Sequence, residues 1–211
     1  MKLINNTSTL LYNDKYQNQV KHSVELDMSI VTKDRLKSLI VDKALLVDDE
    51  SNFQLASGDK SNYFFDMKLV SMDPEGSELI AEEIFKLIQN ENIDFIGGLE
   101  SGAIPIASVV ANYSYRYQKP IPAFFVRKTP KKRGTNKIIE GNLPNNSRVV
   151  LVDDVMTKGE SVLIAVEKVR ELNCHVEKVI TIVDRMAGAK ENLKKHGIEL
   201  VALFKKTDFD L

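Results

Sequence analysis

The stretch Arg148-Val149-Val150-Leu151-Val152-Asp153-Asp154-Val155-Met156-Thr157-Lys158-Gly159-Glu160-Ser161 decides how this chain is read. An apolar, β-branched run ends in two adjacent carboxylates. A turn holding Thr157, Gly159 and Ser161 follows, and then Val162, Leu163, Ala165, Val166 and Val169 recur at helical spacing. The pattern predicts a strand over 148–153 feeding a helix from about 159 to 173. In open α/β sheets ligands bind at the carboxyl ends of strands, where a helix N-terminus offers unpaired N–H groups and partial positive charge. That place suits a phosphate: Gly159 lets the backbone curl around the anion, and the hydroxyls of Thr157 and Ser161 donate to it. Two carboxylates repel a bare phosphate, so the ligand must also bring hydroxyls, a divalent metal, or a carbon that becomes cationic. A ribose 5-phosphate group has the first and can have all three. An Asp-Asp pair alone would read as a cap for the next helix; the Thr-x-Gly-x-Ser turn directly behind the strand is what points to a ligand. The chain holds no Gly-Lys-Ser/Thr, hence no Walker A loop, and Gly97-Gly98-x-x-x-Gly102 is not a dinucleotide fingerprint.

Outward from that turn the elements alternate. Asp73 and Pro74 open a helix as N-cap and first turn, with Leu79, Ile80, Ile84, Phe85, Leu87 and Ile88 as its buried stripe. Strands are expected over 93–99, 121–127, 176–184 and 199–205. Helices follow the first of these to about residue 117 and recur near 189–196. Strands separated by helices imply βαβ crossovers, so the fold class is α/β with a central parallel sheet flanked by helices. Residues 1–30 read as an irregular polar arm. Leu36, Leu39, Ile40, Ala44, Leu45 and Val47 predict an amphipathic helix, and Phe53–Ala56 with Tyr63–Met67 around the Ser57–Asn62 turn predict a hairpin. No composition shift marks a linker. One domain over 1–211 is therefore expected, with 1–68 an arm and small helix-plus-hairpin hood and 69–211 the α/β core.

At 211 residues, 43% hydrophobic and 28% charged, the chain has the makings of an ordinary globular core. Its 29 Lys and Arg nearly balance 30 Asp and Glu, so no overall field gathers nucleic acid or anionic lipid and any basic site is local. The lone cysteine, Cys174, allows no intrachain disulfide, and with 3 scattered histidines it gives no zinc spacing. The apolar runs are far too short to span a bilayer, and the N-terminus lacks the apolar core of a signal peptide. A cytoplasmic protein is the expectation.

The run from Val150 to Ser161 resembles the phosphoribosyl pyrophosphate (PRPP) signature of type I phosphoribosyltransferases. Three further stretches resemble the orotate phosphoribosyltransferase family: Phe125-Val126-Arg127-Lys128-Thr129-Pro130-Lys131-Lys132-Arg133-Gly134-Thr135 with Ile139-Glu140-Gly141; Leu55-Ala56-Ser57-Gly58 with Ser61-Asn62-Tyr63-Phe64-Phe65-Asp66; and Val183-Asp184-Arg185. The similarity runs from about 33 to 205. It implies the type I phosphoribosyltransferase fold with an N-terminal hood, and Mg²⁺-dependent transfer of ribose 5-phosphate from PRPP to orotate, as in pyrimidine biosynthesis. By that resemblance Val155, Met156, Thr157, Lys158, Gly159, Glu160 and Ser161 hold the 5′-phosphate while Asp153 and Asp154 accept the ribose hydroxyls. Phe64 and Phe65 flank the pyrimidine with Thr157 near it, and Arg185 meets the orotate carboxylate. Mg²⁺ would ride mainly on substrate oxygens. The basic residues Arg127, Lys128, Lys131, Lys132, Arg133 and Lys137 form a segment too polar and broken to pack, placed to serve as a cationic lid for pyrophosphate. In the resembled family this loop, 128–138 here, closes over the active site of a neighbouring subunit, which implies a homodimer. There Lys131 contributes to catalysis and Arg127, Lys128 and Arg133 to diphosphate binding.

Three positions depart from that family's pattern: Ala56 and Ser101 stand where lysine is frequent, and Arg133 where histidine is. Ser101 weakens charge compensation in its loop; Ala56 and Arg133 do not touch the signature turn, so the phosphoribosyl chemistry is better anchored than the base. A transferase for a purine or another base is one alternative. A PRPP-sensing regulator binding nucleic acid through 127–137 is the other, and the near-neutral net charge speaks against it.

Overall fold

The run of β-branched residues at 148–152 becomes the middle of a parallel sheet because both of its faces are covered. The computed structural model describes residues 31–48, 50, 53–54, 60–130 and 137–211. In chain order these form α1 (31–39, closing in a π-helical turn, Ile40–Ala44), β1 (Leu45–Val47), β2 (Phe53–Gln54), β3 (Lys60–Ser61), β4 (Tyr63–Phe65), α2 (Lys68–Ser71) and α3 (Pro74–Ile88). Then come β5 (Phe95–Gly97), α4 (Glu100–Arg116), β6 (Phe125–Val126), β7 (Ile139–Glu140), β8 (Arg148–Met156), α5 (Glu160–Arg170), β9 (His175–Asp184), α6 (Ala189–Lys195), β10 (Leu200–Lys205) and a 3₁₀ turn, Lys206–Phe209. The chain divides into two compact units, Met1–Arg35 and Leu36–Leu211, and all of β1 to β10 belong to the second.

The sheet order is β10-β9-β8-β5, all parallel. Residues 122–126 extend it past β5: the N–H of Phe124 donates to the Ile96 carbonyl at 3.0 Å and that of Val126 to the Gly98 carbonyl at 2.8 Å. Side chains alternate along β8. Val150 and Val152 join the cluster with Ile80 and Ile84 of α3 and Ile106 and Val110 of α4; Val149 and Leu151 join Val162, Val166 and Val169 of α5 and Leu193 of α6. All four β8 residues are fully buried, as a two-sided parallel strand requires. Asp73 caps α3 by accepting from the N–H groups of Glu75 and Gly76 at 3.1 and 3.0 Å, with Pro74 at the first helical position.

Three expectations are corrected. The strand expected to end at Asp153 continues to Met156, because β9 runs on beside it and pairs Val155 with Val183 and Met156 with Asp184. The helix expected through Val47 stops at Ala44, and Leu45–Val47 becomes β1. The expected hairpin is split between two pairings: Phe53–Gln54 pairs with Lys60–Ser61, while Tyr63–Phe65 pairs with β1. The loop at 55–59, including Ala56, lies outside the described residues, as do the arm at 1–30 and the tip of the basic segment, 131–136.

Candidate active site

Where β5 ends at Gly97, β8 loses its neighbour on that side, since the last residues to pair are Gly97 and Leu151. The chain order also reverses here: β8 passes through α5 to β9 on one side, while β5 passes through α4 to 122–126 on the other, with α4 and α5 on opposite faces. This is a topological switch point, the place where open α/β sheets leave a crevice for ligands.

The acidic pair lies in that crevice. Each carboxylate folds back on the next backbone N–H: Asp153 Oδ1 accepts from the N–H of Asp154 at 3.1 Å, and Asp154 Oδ1 from that of Val155 at 2.8 Å. The first turn of α4 closes down on them at Gly102. A Cβ there would lie 2.3 Å from Asp153 Oδ1 and 3.1 Å from Asp154 Oδ1, so any side chain at 102 would displace the Asp153 carboxylate. Burial, followed by the charge of Asp154, pushes the Asp153 carboxyl up to about 7; Lys68 and Lys128 pull the other way.

Beyond the pair the chain turns through Thr157, Lys158 and Gly159 into α5. Gly159 takes the left-handed conformation, φ 77°, that frees the first α5 N–H groups to face the crevice. A cavity of about 150 Å³ opens there, lined by Asp153 and the residues from Val155 to Ser161. The Asn192 amide of α6 braces the turn from behind by donating to the Lys158 carbonyl at 2.9 Å. A wall of backbone N–H groups, two hydroxyls and the positive end of a helix can hold a phosphate, and the carboxylates at one edge can accept hydroxyl protons.

The other expected site residues are distributed unevenly. The segments on either side of the basic loop pair as a short antiparallel ribbon, β6 with β7. Arg127 is bound within that ribbon: its Nε meets Glu140 Oε1 at 3.0 Å and its guanidinium lies 5.4 Å from the Phe125 ring centroid. The backbone N–H of Lys128 donates to Glu100 Oε1 at 2.7 Å, joining the loop root to the start of α4. Lys131 and Arg133 fall outside the described residues. Phe64 and Phe65 do not share a face, because successive residues of a strand point oppositely. Phe65 is 4% exposed in the core, edge-on to Phe209, and Phe64 is half-buried beside Phe53 at 6.0 Å. Arg185 follows β9 at the same end of the sheet, with its N–H bonded to the Met156 carbonyl at 2.9 Å, and its side chain reaches back to Ser61 and Tyr63.

Sequence reasoning missed Lys68. It follows the hairpin motif by two residues, and its Nζ approaches Asp154 Oδ2 at 3.5 Å from α2. It supplies a cation to the acidic pair where Ser101, on the α4 turn, carries none. Gly102 was legible as a turn glycine but not as the wall of the carboxylates. No motif marked either contact.

The family model for the phosphoribosyl transferase domain matches residues 73–206. The orotate phosphoribosyltransferase of Aquifex aeolicus is 41% identical over 181 residues, 86% of this chain and 99% of that protein. That of Rhodopseudomonas palustris is 44% identical over 159 residues, 74% of this chain and 85% of that one. Among solved structures, a phosphoribosyltransferase from Corynebacterium diphtheriae matches with a TM-score of 0.74 at 29% identity, covering 86% of this chain and 99% of that one. The orotate phosphoribosyltransferase of Mycobacterium tuberculosis in complex with PRPP matches with a TM-score of 0.70 at 28% identity, covering 85% of this chain and 99% of that one. With a parallel sheet, a cavity-lining turn at its switch point, a family model over most of the chain and relatives matched along most of their length, the chain belongs to the phosphoribosyl transferase family, in its orotate phosphoribosyltransferase branch.

Proposed function

We propose that this chain transfers ribose 5-phosphate from PRPP to a ring nitrogen of orotate, giving orotidine 5′-monophosphate and pyrophosphate. The observation that carries the reading is the cavity at the β8–α5 junction, lined by the Asp153 carboxylate and by the turn from Val155 to Ser161, with Asp154 next to Asp153 in the strand. In this reading the residues from Val155 to Ser161 hold the 5′-phosphate, and Asp153 and Asp154 accept the ribose hydroxyls. Their charge, fixed in place beforehand, stabilises the oxocarbenium-like transition state as the C1–O bond breaks. No covalent protein nucleophile is needed. Arg185 receives the orotate carboxylate, a pairing suited to a planar guanidinium. Lys128, Lys131 and Arg133 of the loop at 128–138 cover the departing diphosphate, and Arg127, engaged by Glu140, anchors its root.

The donor set fits Mg²⁺ delivered by the substrate. Among the described residues no group of three or more His, Cys, Asp or Glu is gathered to hold a metal, and Mg²⁺ favours substrate phosphates over an all-protein cage. Bound with PRPP, it would neutralise diphosphate charge. Further parts of the proposal are a single catalytic domain over 1–211 with its hood at 1–68, a homodimer in which the loop reaches the neighbouring site, and a cytoplasmic setting. Among the described residues no helix is long and apolar enough to cross a membrane.

The test is to incubate the protein with PRPP, Mg²⁺ and orotate and follow the loss of orotate absorbance, beside a panel of purine bases scored for pyrophosphate release. Turnover with orotate supports the reading. Turnover with a purine alone would move the chain to another base, and absent turnover together with salt-sensitive RNA binding would make it a regulator.

A further inference from the structure

Arg185 is the one buried cation among the described residues, 5% exposed, and no carboxylate among them lies within ion-pair distance of it. Asp184 beside it is buried too, but its Oδ1 accepts the N–H of Met186 at 2.8 Å. A guanidinium withdrawn from water without a counter-ion is costly unless an anionic ligand completes it. Its protein contacts leave donors unspent: Nη2 donates to Ser61 Oγ at 2.8 Å and to the Tyr63 carbonyl at 3.5 Å, while Nε and Nη1 donate to no described residue. The Tyr63 ring covers one face of the guanidinium, 4.1 Å from its carbon.

The Ser61 hydroxyl is itself fixed. It spends its single proton on the Tyr63 carbonyl at 2.8 Å and accepts from the Tyr63 N–H at 3.2 Å, so toward Arg185 it acts as an acceptor. Ser61 is held on β3 opposite Phe53, and Tyr63 on β4 opposite Val47. The guanidinium is thus gripped on one edge and one face by the hood strands.

We infer that Ser61 and Tyr63 are positioning residues for the base: they hold Arg185 so that Nε and Nη1 meet the orotate carboxylate, and base selection depends on the hood strands as well as on the arginine. This rests on the reading that Arg185 receives that carboxylate. The test measures KM for orotate and for PRPP, with thermal melts, in Ser61→Ala, Ser61→Thr, Tyr63→Leu and Arg185→Gln. Loss of one hydrogen bond to a charged group should raise the orotate KM about tenfold or more in Ser61→Ala. The PRPP KM should change by less than about twofold, and Ser61→Thr, which keeps the hydroxyl, should restore the orotate KM. Tyr63→Leu should raise the orotate KM alone, and it tests the clamp should Ser61→Ala not fold. An unchanged orotate KM in both hood variants, beside a raised one in Arg185→Gln, would overturn the clamp and leave the reading standing. An equal rise in both KM values would also overturn it. An unchanged orotate KM in Arg185→Gln would end the reading, and the clamp with it.

Discussion

Gly102→Ala is the smallest change that should separate the chemistry from the fold. The new methyl carbon would lie 2.3 Å from Asp153 Oδ1, 3.1 Å from Asp154 Oδ1 and 3.5 Å from Asp153 Cγ. Close carbon–oxygen contacts settle near about 3.3 Å, so the Asp153 carboxylate must retreat by about 1 Å. Retreat means rotating the carboxylate off the N–H of Asp154, which it now accepts at 3.1 Å. Overpacking of this kind costs about 1–3 kcal/mol, and replacing a helical glycine by alanine returns about 1 kcal/mol. The net loss of ~0–2 kcal/mol should lower the melting temperature by no more than about 8 °C in a chain of this size. Activity should suffer more: a displacement of about 1 Å in a group that contacts the reacting sugar costs about a hundredfold in rate. The assay is kcat/KM for PRPP at saturating orotate, beside a thermal melt of the same preparation. A kcat/KM within about threefold of the parent, in a folded variant, would refute the placement of Asp153 at the reaction.

The raised Asp153 carboxyl predicts that kcat/KM for PRPP falls as the pH drops below about 7, because the protonated form no longer carries the charge that the transition state needs; a pH–rate profile flat across that range would count against it. The sign for stability is opposite: with a native value above the unfolded one, this contribution is complete below the ordinary carboxylate range and is lost as pH rises through about 7. Asp153→Asn should therefore melt higher than the parent at about pH 8 while losing turnover, and a lower melting temperature there would contradict the burial argument. Lys68→Met should leave stability within about 0.5 kcal/mol, since its ion pair at 3.5 Å is half exposed, yet move the acid limb of the pH–rate profile upward; a limb that stays in place would remove Lys68 from the site.

How much of this architecture was legible in the sequence depends on the range of the forces involved. The β8–α5 junction was legible because its signals are local: a run of β-branched residues, a glycine turn, and an apolar stripe at helical period. The end of β8 was not, since Asp154, Val155 and Met156 become strand by pairing with β9, about thirty residues on in sequence, rather than by their own preference. Leu45 and Val47 fit the periodicity of the helix before them, but pairing with Tyr63–Phe65 makes them a strand. The same pairing sets the alternation that buries Phe65 and turns Phe64 outward, which two adjacent aromatics in a motif do not reveal. Lys68 reaches Asp154 across a separation of 86 residues, and no spacing rule predicts such a contact.

The switch point also accounts for why the acidic pair is placed on a strand rather than on the flexible turn beyond it. Electrostatic stabilisation works through groups that do not reorganise as charge develops. β8 provides this: Asp153 and Asp154 are inside a ladder with β9 on one side, are latched to their own following N–H groups, and are walled by α4 on the side that β5 has vacated. The proposed phosphate cradle needs the opposite property, a backbone free to curl, and most of it, Thr157 to Ser161, comes directly after the ladder stops at Met156. The basic loop proposed to cover the diphosphate springs from the β6–β7 ribbon, whose root is tied to the same α4 turn by Glu100 and the Lys128 N–H. One turn of one helix therefore borders the rigid carboxylates on one side and the base of the basic loop on the other. A change at residues 100–102 should for that reason disturb both charge stabilisation and diphosphate capture, whereas a change in the tip of the loop should disturb only the second.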